Sequence, residues 1–320
     1  MAVPSRELTE RLKEQARQAG FAIVGATDVR QPESLEFYEA WLAKGYHGTM
    51  DYLSRSVRQR SDLGSVLPDV RSVLACGMFY SRRRRQESPR IAQYALGRDY
   101  HKVLRGRLRK VGKWLETELP GCVTRPCVDS APILEREVAQ RAGLGWFGKN
   151  TCLIDSHRGS WFVIGLLLTT AELEPDPPAV GGCGSCVKCV DACPTGAILQ
   201  EDGRWQVDSR KCVSYLTIEH RGAFDRDQAA RVGEWTFGCD VCQDVCPFNE
   251  PRESQPLRSP LVEVKDLAES RHWPPLKDLA TIGEEEWDGL TRGSAVRRAG
   301  WEGLRRNARA NLENTQQTKG

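Results

Sequence analysis

The stretch from Cys183 to Gly196 reads CGSCVKCVDACPTG, four cysteines in eleven residues with a proline directly after the fourth. A second run, Cys239-x2-Cys242-x3-Cys246-Pro247, follows it, and Cys212 lies between the two. Eight thiols in this spacing constrain the chain more than any other feature. A short loop can wrap three thiolates around one corner of a cube. The fourth thiolate then leaves on the element that follows, with proline at its first turn. In such a pattern the last cysteine of each run serves the other group. Cys183, Cys186, Cys189 and Cys246 are therefore expected to hold one [4Fe–4S] cubane, and Cys212, Cys239, Cys242 and Cys193 the other.

This is the spacing of bacterial ferredoxins. Structural zinc is the competing reading of paired Cys-x2-Cys. Zinc takes four ligands, however, and eight stand here, each run closed by Cys-Pro. Between the runs, AILQEDGRWQVD predicts a hairpin turning at Asp202-Gly203. The other four of the twelve cysteines, Cys76, Cys122, Cys127 and Cys152, fall in apolar strand-like segments and read as small buried hydrophobes. The chain begins MAVPSRELTERLKEQ, without the pattern of a signal peptide, and its longest apolar run, WFVIGLLL, is too short to span a bilayer. A cytoplasmic protein with reduced thiols and no membrane partner is expected.

About 175 residues precede the cysteines, so a bare electron carrier leaves most of the chain unexplained. Strands and helices alternate up to residue 172. Residues 6–19 carry Leu8, Leu12 and Ala16 at helical spacing, with Ser5 as cap and Gly20 as stop. FAIVGA, RSVLACGMFY, CVTRPCVDS, TCLID and WFVIGLLLTT read as strands. SLEFYEAWLAKG, Asp99–Leu119 and ILEREVAQRAG read as helices. ELEPDPPAVGG is a proline- and glycine-rich linker, and the chain past residue 250 reads as charged helix. No G-x-G-x-x-G follows a strand, and AGLGWFGKN lacks the G-K-[ST] ending of a phosphate loop. DYHKVL has leucine where the cobalamin motif D-x-H-x-x-G needs glycine. From the residues alone, the chain is a reductase whose two clusters feed a site in the N-terminal part.

The stretches YALGRDYHKVLRGRL, VDSAPILEREVAQRAGLGWFGKN, CGSCVKCVDACPTGAI, CVSYLTIEHRG, GCDVCQDVCPFN and RGSAVRRAGWEGLRRN resemble, in order, those of the epoxyqueuosine reductase family. They run from residue 94 to about 307. Some members of that family carry a longer C-terminal helical-repeat extension. The resemblance implies an oxidoreductase that uses cobalamin and two [4Fe–4S] clusters, fed by an external one-electron donor. Its partner would be a tRNA carrying epoxyqueuosine at the wobble position, which two electrons and two protons convert to queuosine and water. The fold class it implies is α+β. A mixed α/β corrinoid-binding catalytic domain spans 1–175, a ferredoxin-like two-cluster domain 176–250, and a helical region with a disordered tail 251–320. The corrinoid part is also similar to reductive dehalogenases, so a corrinoid reductase of small molecules is one rival and a plain ferredoxin-type carrier another.

The same resemblance implies roles for single residues. Asp129 matches the proton donor. To be an acid at neutral pH it must be desolvated, so that its pKa rises; a helix N-cap is the alternative. Tyr94, Asp99 and His101 share YALGRDYH, where Tyr94 suits the corrin or the substrate and His101 is a first-turn helix residue rather than a cobalt ligand. Lys149 and Asn150 end a glycine-rich loop suited to the cobalamin tail, and Asp155 can accept from the same amides, unless all three simply make a tight turn. Arg60 is a further cobalamin candidate. For RNA, a chain of net charge +3 concentrates its cations. They fall in SRRRR (81–85), RGRLRK (105–110) and RRAGWEGLRRNAR, with Arg297, Arg298, Arg305 and Arg306 as phosphate contacts and Arg136 near the pocket. Arg298, Arg305 and Arg309 are expected to share a helix face, and Trp301 to be a core residue.

Overall fold

The computed structural model describes residues 6–80, 89–250, 265–268 and 271–317. Ser5 and the basic run at 81–85 lie outside them. Ten strands are described: β1 (Ile23–Asp28), β2 (Ser72–Phe79), β3 (Arg90–Ile91), β4 (Thr124–Cys127), β5 (Trp146–Phe147), β6 (Leu153–Ile154), β7 (Phe162–Thr169), β8 (Ile198–Glu201), β9 (Arg204–Val207) and β10 (Trp235–Phe237). The central sheet has the order β1-β2-β7-β4 and every pairing in it is antiparallel.

Residue parity explains why β2 is buried throughout. Leu74, Cys76 and Met78 face a core shared with helices Arg6–Gln18 and Tyr100–Glu118. Val73, Ala75 and Phe79 face a second core built with Leu63, Val66, Leu67 and helix Glu135–Arg141. A strand covered on both faces reads as a continuous apolar run, as SVLACGMF does. Leu119 falls just past the end of its helix and is exposed. Cys76 and Cys127 are buried as expected; Cys122 is only partly buried and meets Thr169 Oγ1 at 3.1 Å.

The proline-rich segment after β7 is not a free linker. Asp176 accepts from the Lys13 ammonium (2.7 Å) and from the Ala26 backbone N–H (2.7 Å), strapping the segment along the edge strand β1. The expected hairpin forms as β8 and β9, with Asp202 and Gly203 both at positive φ, the signature of its two-residue turn.

The cysteine region packs into the N-terminal part rather than hanging from it. Asn249 is fully buried and its amide Nδ2 donates to Ser160 Oγ (2.9 Å), while its Oδ1 accepts the Ser160 N–H (2.6 Å). Gly159 permits this approach, since a Cβ there would stand 2.1 Å from Asn249 Oδ1. β3 pairs in parallel with β10, and Trp41 donates to Val207 O (2.8 Å).

Helix Gly300–Gln317 closes the structure and reaches through residues 314–317, which correct the expected disordered tail. Asn307, Asn311 and Asn314 lie on one face of it. Their amides donate to carbonyls of Thr217, Thr236, Glu234, Ala229 and Gly233 around the second cysteine run. Asn311→Ala leaves the buried Glu234–Thr236 edge short of a donor. A loss of about 1–3 kcal/mol in unfolding free energy is expected, measured by denaturant titration; an unchanged midpoint would show the ladder to be dispensable.

Candidate active site and metal centres

Cys183, Cys186, Cys189 and Cys246 line one cavity with Asn150, Ile154, Pro247 and Phe248. Cys246 thus joins the first run across a long stretch of chain, as the crossed spacing requires. Cys193, Cys212 and Cys239 lie within electrostatic reach of one another, and Cys242 beside Cys212 and Cys239. Burial, ahead of the neighbouring thiols, pushes Cys189 up to about 11 and Cys239 up to about 12. Those two thiols therefore stay neutral until a metal displaces their protons. Pro247 opens a single 3-10 turn, Pro247–Asn249, as expected. Cys193-Pro194 instead leads through a turn into β8, where the Ala197 N–H donates to Cys193 Sγ (3.3 Å).

The second centre lies at the C-terminal end of β4. Asp129 stands at φ +55, a left-handed conformation that a non-glycine residue adopts at a cost. Its backbone N–H donates to Glu135 Oε1 (2.8 Å). Its Oδ2 accepts from Tyr100 Oη (2.7 Å) and faces His101 Nε2 (3.3 Å). The other ring nitrogen of His101 meets Asp99 Oδ1 (2.7 Å), and the Tyr100 and His101 rings stack at 4.0 Å. Next to Asp129, Ser130 Oγ accepts from Arg105 (2.7 Å).

The electrostatics overturn one expectation. Asp129 was expected to be raised by desolvation, but its pKa is lowered. Crowding pushes it up, and the hydrogen bonds from His101 and Tyr100, with Arg136 nearby, pull it down further. The carboxylate sits in a concavity yet is 63% exposed, which leaves it partly solvated. The raised groups are its neighbours. His101 is pushed up to about 9, because Asp129 and Asp99 outweigh its burial. Glu135 is pushed up to about 8, by burial first and then by the Asp129 charge. At neutral pH the site thus holds an ionised Asp129 between a protonated imidazole and a neutral carboxyl. Glu135 is raised in the folded state, so its contribution to stability is full below its unfolded value near 4.5 and is lost as pH rises through about 8. Glu135→Gln should flatten the decline in melting temperature over that window; a decline as steep as that of the wild type would place the titration elsewhere.

The other expected residues divide. Arg60 donates to Ile133 O (3.0 Å) beside Glu135, and Tyr94 packs edge-on against Tyr80 and Tyr100, so both adjoin the site. Lys149, Asn150 and Asp155 are engaged with the protein itself. The Lys149 ammonium donates to Gly184 O (2.9 Å) over Trp205, and Asn150 is buried between the two thiol cages. Asp155 Oδ1 accepts the N–H groups of His157 (2.9 Å) and Arg158 (2.7 Å), the tight turn that was the alternative. Arg136 binds Thr151 O (2.6 Å).

Arg297 and Arg298 line a hollow with Asp99, His101, Lys102 and Ser294. Both are paired there, Arg297 with Asp288 and Arg298 with Glu219 at 2.8 Å. Arg305 stacks over Trp301, whose Nε1 donates to Ile282 O (2.8 Å) in the core. Arg306 is structural. It binds the carbonyls of His220 (3.0 Å), Gly222 (2.8 Å) and Leu216 (3.0 Å) over the Phe224 ring, because this helix end needs a buried donor. Arg298 precedes Gly300 in a separate 3-10 turn, Ala295–Ala299, so no face shared with Arg305 and Arg309 exists. Tyr100 and Glu135, which stand against Asp129, lie in no motif that marks them as site residues. The i, i+4, i+7 asparagine spacing was legible and was passed over.

A mixed α/β catalytic layer with an open acid–base cleft, joined to two cages of four thiols, defines an iron–sulfur oxidoreductase. Residues 182–249 match a 4Fe-4S double cluster binding domain, and residues 60–130 match the family described as epoxyqueuosine reductase QueG, DUF1730. The epoxyqueuosine reductase of Synechococcus sp. (strain RCC307) is 40% identical over 298 residues, 91% of this chain and 90% of that protein. The chain belongs to the epoxyqueuosine reductase family. A crystal structure of epoxyqueuosine reductase with an epoxyqueuosine-modified tRNA-Tyr stem loop superposes with a TM-score of 0.80 at 29% identity, covering 98% of this chain and 83% of that one. The enzyme from Bacillus subtilis, with its catalytic aspartate loop swung out of the active site, gives 0.81 at 28% identity over the same shares. Among the described residues no helix is long and apolar enough to cross a membrane.

Proposed function

We propose that this chain reduces epoxyqueuosine to queuosine in the tRNA anticodon loop, in the cytoplasm. Electrons would arrive singly from an external donor and pass through the two clusters to a cobalamin. The observation that carries this reading is the Asp129–Tyr100–His101 constellation, set in a family member whose solved relative holds the modified stem loop. The likeness to a structure with a swung-out aspartate loop supports Asp129 as the acid.

The residues present fit a corrinoid. The space above Asp129 is open, and both ring nitrogens of His101 are engaged by aspartates, so that imidazole is not presented to a metal. Arg60 and Tyr94, at the edge of the site, are candidates to hold it, with Lys149, Asn150 and Asp155 farther along. A bound cobalamin supplies reduced cobalt, a strong nucleophile toward an epoxide carbon.

The chain's own part is the proton. His101 Nε2–H faces Asp129 Oδ2, and in this reading Asp129 protonates the departing epoxide oxygen. When cofactor and everted nucleoside cover Asp129, water leaves and the neutral acid gains ground. His101, held cationic by Asp99, then reprotonates Asp129. Lys102 beside the hollow, and Arg136 at the rim, suit the flanking phosphates. Lys102→Glu is expected to weaken stem-loop binding and lower its salt slope by about 0.7; identical slopes would remove Lys102 from the interface.

The reading is tested with protein reconstituted with iron, sulfide and cobalamin, a low-potential reductant and a stem loop carrying epoxyqueuosine. Loss of one oxygen from the nucleoside, dependent on cobalamin, is expected. Conversion without cobalamin, or none with it, would overturn the reading.

A further inference from the structure

The segment from Thr49 to Arg60 is tied to the rest of the protein at both ends. The Thr49 N–H donates to Tyr215 Oη (2.8 Å) in the cysteine region. Arg60 donates to Ile133 O (3.0 Å), between Asp129 and helix Glu135–Arg141, and its Nε donates to Ser56 Oγ (3.1 Å). Ser56 Oγ in turn donates to Tyr52 O (2.6 Å). Between these ties Tyr52, on the short helix Asp51–Ser54, is 42% exposed. Among the described residues Phe147 is the only other exposed aromatic. The Tyr52 ring is nevertheless held. The Arg298 guanidinium lies 5.5 Å from its centroid, and Glu219 fixes that guanidinium with two hydrogen bonds of 2.8 Å. A ring backed by a fixed cation and open to solvent presents a rigid apolar face.

Arg298 also lines the hollow that holds Asp99, His101, Lys102 and Arg297, a space of about 260 Å³. Arg297 and Arg298 are paired with Asp288 and Glu219, and Asp99 is engaged by His101. Lys102 has no ion-pair partner among the described residues and leaves the hollow cationic. The volume falls short of the roughly 300 Å³ at which pockets for whole small molecules begin, so the hollow suits a sugar–phosphate. His101 forms part of its wall and faces Asp129 Oδ2 at 3.3 Å, so the hollow lies one imidazole ring from the reacting position. We infer that Tyr52 and this hollow form a second nucleotide subsite. The nucleotide next to the reacting one lays its base on Tyr52 and sets its phosphate against Lys102. Everting one base breaks its stacking on its neighbours. Restacking a neighbour on a fixed ring offsets part of that cost and holds the strand in register with Asp129. Any base can stack there, because every base has a π-face. That the strand is the tRNA anticodon loop rests on the proposed function.

The test is the affinity of the protein, loaded with clusters and cobalamin, for a stem loop carrying epoxyqueuosine, read by fluorescence anisotropy without reductant. Turnover does not enter this reading, so a wild type that binds but fails to convert counts against the proposed reaction alone. Tyr52→Ala should weaken binding about tenfold or more, the worth of a base stacked on an aromatic ring. Tyr52→Phe should match the wild type. Both should keep about eight irons and the wild-type affinity for cobalamin. The base on either side of the reacting nucleoside is then removed in turn, with ribose and phosphate kept. One of the two removals should weaken the wild type by a similar factor and cost Tyr52→Ala little further. An uncharged methylphosphonate on that side should weaken the wild type and leave Lys102→Ala unchanged. Unaltered binding by Tyr52→Ala would overturn the inference, as would equal losses for phenylalanine and alanine. Additive losses for both flanking bases would also overturn it. A lowered cobalamin affinity in Tyr52→Ala would give the ring to the cofactor instead.

Discussion

Asp129→Asn is expected to keep both clusters and to turn over about 10²–10⁴-fold more slowly, the usual cost of losing a general acid. Asparagine keeps the shape and can still accept from Tyr100 Oη, so the loop should stay in place. What it lacks is a transferable proton at Oδ2. The same geometry sets a pH limb. His101 carries its proton below about 9, so kcat/KM should fall as pH rises through that value. Single-turnover conversion of a modified stem loop, with iron content measured on the same samples, decides the matter. A variant within about threefold of the wild type would reduce Asp129 to a loop-shaping residue, and the acid would then have to be sought in Glu135.

Cys246→Ala should damage the first cluster and spare the second, lowering iron from about eight to about four per chain. In sequence Cys246 belongs to the second run. In space it lines the cavity of Cys183, Cys186 and Cys189, and Phe248 just beyond it packs against Trp146 at 5.2 Å. Alanine leaves that cage one thiolate short while the fold around it persists. Spectroscopy on the reconstituted variant would show which cluster remains. Survival of the first cluster with loss of the second would mean the runs do not cross.

Some of this protein was legible as a string because its chemistry is local. Ligand spacing on one loop is a matter of a few bond lengths, so the two cages could be written down from cysteine positions. The β8–β9 turn, the helix stops at glycine and the two-sided burial of β2 follow from rules that act within about ten residues. The resemblance carried on Asp129 pointed to a single loop for the same reason.

The state of that loop is another matter. Asp129 is lowered and Glu135 raised because of Tyr100, His101 and Asp99, which the fold brings from a different helix. No spacing rule relates residues 99–101 to residue 129. Basic residues were equally opaque, since an arginine on a phosphate and an arginine capping carbonyls are the same letter. Arg306 turned inward and Lys102 did not, because only packing decides which cations remain exposed. Lys149 and Asn150 sit in a glycine-rich loop, and only the tertiary structure placed that loop against the thiol cages. The sequence by itself determined the cysteine spacing of a double-cluster domain, most of the elements and the family. The packing of helix Tyr100–Glu118 onto the catalytic sheet decided which protons sit beside Asp129, because electrostatic and hydrogen-bond energies depend on distances through space that chain separation does not encode.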